Sequence, residues 1–148
     1  MMQARNEELK KGPQLDQLKK SLDTLMADER ALTDRVYTDF FAQHPDARGL
    51  FGTHSQASQA QMVRETLMYA HDHMDEAPWV KSNLEALGDK HHGYEVSGEM
   101  YGWFVESLIR VFGEFCGDDW TPELEDDWRR VLQHLSSLMR LAGHGAPA

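Results

Sequence analysis

The sequence predicts an all-α fold, with six long helices and a short one after Pro45. Three observations carry that prediction. Apolar residues recur at i, i+3 and i+4 along nearly the whole chain, the pattern of a helix that buries one face. Gly-, Pro- and Ser-containing breakers fall between these stripes. Strand signals are missing, with no Asn-Gly hairpin turn and no alternating β-branched run. At 148 residues the chain suits one domain with a core large enough to need no covalent staples.

The first stripe is Leu15, Leu18, Leu22, Leu25 and Met26, opened by Gly12-Pro13. Leu32, Val36, Phe40 and Phe41 form the second, with Tyr37 beside them, and Pro45 closes it. Gly52-Thr53-His54-Ser55 precedes the third, which runs Met62, Val63, Leu67, Ala70 and Met74. Pro78 opens the fourth, Val80, Leu84 and Leu87. Gly93 and Ser97-Gly98 separate it from Tyr101, Phe104, Val105, Leu108, Phe112 and Phe115. Gly117-Asp118-Asp119 ends that fifth helix. Thr121-Pro122 then offers a capping side chain followed by a proline suited to the first helical position. The last stripe is Trp128, Val131, Leu132, Leu135, Leu138, Met139 and Ala142. The expected organisation is an extension over 1–12, a single domain over 13–142 and a disordered tail over 143–148.

Charge narrows the function. Fifteen Lys and Arg against 25 Asp and Glu leave a formal net charge of −10. That argues against a surface for nucleic acid or anionic membrane, both of which need clustered cations. No apolar run approaches the ~20 residues of a membrane helix, and residues 1–10 lack the apolar core of a signal peptide. The single cysteine, Cys116, excludes an intrachain disulfide and reads as a small buried or half-buried filler. A cytoplasmic location is expected.

Polar residues on apolar stripes are the informative ones. Val80, Leu84, Leu87 and His91 stand at offsets 0, 4, 7 and 11 and share a face. His91 therefore points inward, and His92, rotated by ~100°, points away. An inward histidine is either a hydrogen-bonded core residue or helix cap, or a neutral imidazole on a metal or haem iron. Tyr37 is either a half-buried tyrosine with a structural partner or a hydroxyl aimed into a ligand pocket. Gln59 shares a face with Val63 and Leu67 and is either exposed or an amide at a pocket mouth. His71 and His73, two apart on a helix, face different sides and cannot both bind one metal, so they read as solvated surface. The acidic run Glu123, Glu125, Asp126 and Asp127 reads as a solvated first turn that complements the helix dipole.

Taken together these positions resemble the globin family, specifically bacterial single-domain globins similar to the haem domain of flavohaemoglobins. The segment from Leu32 to Pro45 looks like the globin B helix and C-helix proline, followed by Arg48-Gly49-Leu50-Phe51. The run Leu84-Glu85-Ala86-Leu87-Gly88-Asp89-Lys90-His91-His92-Gly93-Tyr94-Glu95-Val96 looks like the family's segment around the proximal histidine. Trp128 with Val131, Leu135 and Met139 is similar to its last helix. The resemblance spans about residues 14–142 and implies a globin fold around a haem pocket, holding b-type haem (iron protoporphyrin IX).

It implies His91 as iron ligand, and Phe51, Val63, Leu67, Leu87, Val96, Tyr101 and Phe104 as haem contacts. Tyr37 and Gln59 would be distal hydrogen-bond donors, with Gln56 and Gln61 as alternative glutamines. The implied function is reversible binding of O2, NO, CO or other small ligands. The alternatives are nitric oxide dioxygenase chemistry with a separate reductase, or a gas sensor or interaction module. A monomer or weak homodimer is expected. The family's glutamate late in the last helix has no counterpart in Leu141-Ala142-Gly143, so a peroxidase-like proximal histidine is not implied.

Overall fold

In the computed structural model of the chain, residues 13–47, 56–84, 86 and 98–145 are described. Among them there is no strand. The helices are α1 (Pro13–Met26), α2 (Glu29–Gln43), α3 (Gln56–Met74), a helical stretch α4 over 80–84, α5 (Gly98–Cys116) and α6 (Pro122–Gly145). The short element after Pro45 is a 3-10 turn, Pro45–Ala47, and a second one, Gly117–Asp119, follows α5.

Local chemistry explains the boundaries. The Asp28 carboxylate accepts the Ala31 N–H at 3.1 Å and caps α2. Its other end stops at His44, which Pro45 forces out of the helical region. Thr121 caps α6 through the Leu124 N–H at 3.1 Å, with Pro122 at the first helical position. The end of α3 was less predictable. Glu76 adopts φ 59, the Glu76 N–H donates to the His73 carbonyl and the Ala77 N–H to the Asp72 carbonyl. This is the paired closure usually built on glycine. At the far end, α6 runs on to Gly145, so 143–145, expected to lie in the tail, are helical. Glycine costs a helix only about 1 kcal/mol and does not by itself end one.

The core is built on α5, which packs on both α2 and α6 while α1 crosses α3, α5 and α6. Leu18, Leu22 and Leu25 of α1 meet Val105, Leu108, Phe112, Trp128 and Leu132 in one buried cluster. The α5 stripe is wider than its spacing suggests, since Ile109 and Val111 are also buried. A helix covered on several sides has little face left for water.

At this end Trp128 is fully buried, edge-on to Phe112 at 5.0 Å. Its indole N–H donates to Ser21 Oγ at 2.8 Å, and that hydroxyl donates to the Leu18 carbonyl at 2.7 Å. The indole nitrogen and the Ser21 hydroxyl are thereby both satisfied inside the core. Cys116 is buried, as expected of a filler, and burial pushes its thiol pKa up.

Several residues depart from their expected exposure. Met26, placed on the first apolar stripe, is 40% exposed at the last position of α1. Asp127 is only 5% exposed and accepts from Arg130 at 3.1 Å, because its position on α6 adjoins the buried Trp128. His73 is half-buried, and its ring lies 4.8 Å from that of His134 on α6. His71 is exposed, beside Asp72 and Asp75.

Two ion pairs tie α2 to α5. The Arg35 guanidinium grips Glu114, with its closest contact at 2.8 Å. The Arg110 guanidinium grips Asp39, with its closest contact at 2.7 Å. Burial pulls the Asp39 pKa upward, but hydrogen bonds from Arg110 and Ser107 outweigh it and hold the carboxyl below its usual range. Between α5 and α6, Arg129 clamps Glu106 with two 3.0 Å bonds.

Candidate functional site

The α2–α5 contact brings together two of the residues that the sequence singled out, Tyr37 and Phe104. Val36, Tyr37 and Phe40 lie on the inner face of α2 and are buried. Facing them on α5 is Phe104, half-buried. The Tyr37 and Phe104 ring centroids are 5.7 Å apart, those of Tyr37 and Phe41 5.8 Å. Phe40 meets Phe104 edge-on at 5.3 Å. Such tilted pairs add ~0.5–1.5 kcal/mol each beyond simple burial. At the outer margin His44 stacks flat on Trp103, with centroids 4.1 Å apart.

From this aromatic wall the Tyr37 hydroxyl reaches across to α3. It donates to the Met62 sulfur at 3.4 Å. Tyr37 is 4% exposed, and desolvation pushes its pKa well above the ordinary phenol value. The group therefore stays protonated, and able to donate, at neutral pH.

On α3, Gln59, Met62, Val63 and Thr66 share one side, since steps of three and four return to the same face. Val63 and Leu67 are fully buried. Gln59 is half-buried, one turn nearer the start of the helix. Gln61 is exposed and its amide donates to Glu65 at 2.9 Å, so it faces away from Tyr37. The side chain of Gln56 lies outside the described residues. Tyr101 is half-buried, one turn before Phe104 on α5. Phe51, His54, Leu87, His91, His92 and Val96 all lie outside the described residues, so the structure brings together Tyr37, Val63, Leu67 and Phe104 of the expected set.

Sequence reasoning missed Met62 as a site residue. It stood on the apolar stripe of α3, where a methionine looks like any other core side chain.

The profile of the globin family matches residues 34–139, from α2 through most of α6. The chain belongs to the globin family. Globins are haem proteins that bind small gas molecules. This globin is 24% identical over 123 residues to a flavohemoprotein of Vibrio cholerae, a match covering 82% of the chain. It spans about a third of that relative's length, 31%. The wall around Tyr37 fits a haem-type group. Met62, Phe41, Tyr101 and Phe104 offer partly uncovered apolar surface, and the Tyr37 hydroxyl adds a polar donor to it. No helix among the described residues is long and apolar enough to cross a membrane.

Proposed function

We propose that this globin holds b-type haem through His91 and reversibly binds O2 and other diatomic ligands, with Tyr37 and Gln59 as distal donors. The observation that carries this reading is the buried Tyr37 hydroxyl, set in an aromatic wall and directed at α3. Haem, when bound, supplies an iron with an open coordination position for a small ligand. The chain supplies the rest. Val63, Leu67 and Phe104 keep water away, and Phe51, Leu87, Val96 and Tyr101 complete the apolar contacts. Tyr37 offers a proton donor to a ligand that carries partial negative charge, a bond contributing ~1.5–3 kcal/mol.

The position of His91 rests on its face. Val80 and Leu84, the first two residues of that face, are both buried, and the sequence spacing assigns Leu87 and His91 to the same face. The domain reading over 13–142 and a cytoplasmic location belong to the same proposal. The likeness to a flavohemoprotein favours a second reading, conversion of nitric oxide to nitrate with electrons from a separate reductase.

The test is a visible spectrum of the purified chain with haem, followed by His91→Ala and His92→Ala. We expect His91→Ala to lose most haem, or to keep it only with added imidazole, while His92→Ala keeps a normal Soret band. The opposite pattern would move the ligand to His92. Steady nitric oxide turnover with a reducing system would support the second reading over simple ligand binding.

A further inference from the structure

We infer that Met62 is a positioning residue: its thioether holds the Tyr37 hydroxyl softly, so that the hydroxyl remains transferable to a polar ligand. This rests on the haem reading above. The observation is the 3.4 Å contact from the Tyr37 hydroxyl to the Met62 sulfur, made across the α2–α3 contact from a half-buried methionine.

The chemistry of the acceptor decides the consequence. A phenol surrounded by apolar groups bonds strongly to any carbonyl or carboxylate within reach, because water is not there to compete. Breaking such a bond to serve a ligand would cancel most of what the ligand gains. A thioether is a weak acceptor, and the long unbranched side chain that carries it adapts without a fixed rotamer. Sulfur therefore orients the hydroxyl at rest and yields it at little cost. Met62 lies on the same side of α3 as Gln59 and Val63, which places this resting partner beside the proposed distal residues. Ligands with partial negative charge gain from the transfer and nearly apolar ones do not, so Met62 contributes to discrimination between O2 and CO.

The test uses the full haem-loaded chain and compares Met62→Gln and Met62→Leu, each alone and with Tyr37→Phe. Glutamine introduces a strong competing acceptor. We expect Met62→Gln to speed O2 release about tenfold, the effect of one ordinary hydrogen bond, and to change CO release less than about twofold. Met62→Leu, which deletes the acceptor at similar volume, should leave O2 release unchanged or slow it by up to about threefold. Both effects should vanish with Tyr37→Phe. The infrared stretch of bound CO in Met62→Gln should move to the position found with Tyr37→Phe.

Equal changes in O2 and CO release, or changes that persist with Tyr37→Phe, would overturn the inference and leave Met62 as packing. A six-coordinate low-spin ferrous spectrum abolished by Met62→Leu would overturn it too, by making sulfur an iron ligand. Failure of the unmutated chain to take up haem overturns the underlying haem reading, and shows in the Soret region before any kinetics.

Discussion

The two ends of α5 are lined with aromatic rings, yet they are finished differently. Towards its C-terminal half, Phe112 meets a Trp128 that is wholly buried, with its indole donor satisfied by Ser21 and the Ser21 hydroxyl satisfied in turn by the Leu18 carbonyl. Towards its N-terminal half, Phe104 and Tyr101 stay half-buried, and the adjacent Tyr37 directs its hydroxyl at a sulfur. The first end gives the Trp128 and Ser21 polar atoms internal partners and covers the Phe112 and Trp128 rings with protein. The second leaves apolar surface uncovered and gives its best donor a weak acceptor. Globular proteins bury and satisfy where they need stability. On the haem reading proposed above, the end around Tyr37 and Phe104 is the one that receives the group.

The largest expected effect tests the closed end. Trp128→Ala should cost about 3–5 kcal/mol of unfolding free energy in urea titration, through the cavity left among Phe112 and its neighbours. Trp128→Phe is the milder version, costing about 1–3 kcal/mol by removing the donor to Ser21. With either variant that folds, O2 release should stay close to that of the unmutated globin. A large change in ligand kinetics would show that the two ends are not separable.

The next effect belongs to the open end. Tyr37→Phe should speed O2 release by ~10–100-fold, matching the loss of ~1.5–3 kcal/mol, while CO release and urea stability change little. If it instead destabilises as much as Trp128→Phe and leaves O2 release alone, the tyrosine is a second Trp128 and the comparison fails.

How much of this was legible follows the same division. The helices and the closed end read directly from spacing, because a stripe at i, i+3 and i+4 states which side is inside. Ile109 and Val111 fell outside the stripe only because α5 is covered on several sides, a property of the neighbours and not of its own sequence. Asp127 and His73 were misjudged for a related reason. Exposure at the edge of a face depends on where the next helix lies. Glu76 closes α3 in a conformation that glycine usually signals, and nothing in its identity announces it. At the open end Tyr37 was visible as a polar group among aromatics. Met62 was not, since its role depends on the crossing of α2 over α3. In the run from Leu87 to Val96, spacing put Leu87 and His91 on one face and the resemblance gave their roles, and the run lies outside the described residues.

The smallest effect concerns the frame that holds the open end in place. The Asp39 carboxyl has a folded pKa below its unfolded value of about 3.9, so its contribution is present at neutral pH. That contribution is lost as pH falls through the folded value. Asp39→Asn should cost about 1 kcal/mol or less at pH 7. The difference from the unmutated globin should close as acid titrates the partner away. A gap that persists unchanged in urea titrations at pH 2 would mean that Asp39 stabilises without its charge.

Small as that energy is, the two α2–α5 ion pairs encode direction. Arg35 and Asp39 stand four apart on one helix, Arg110 and Glu114 four apart on the other, and they pair 35 with 114 and 39 with 110. Slide either helix by one turn and Arg35 confronts Arg110, or Asp39 confronts Glu114. Turn one helix end for end and both mismatches occur together. The four charges thus act as a keyed plug, accepting a single orientation and a single depth of insertion. Hydrophobic faces alone would tolerate a slip of one turn, since a stripe repeats with the helix. Here such a slip brings like charges together, and the chain is steered to the one alignment that sets Tyr37 over Phe104.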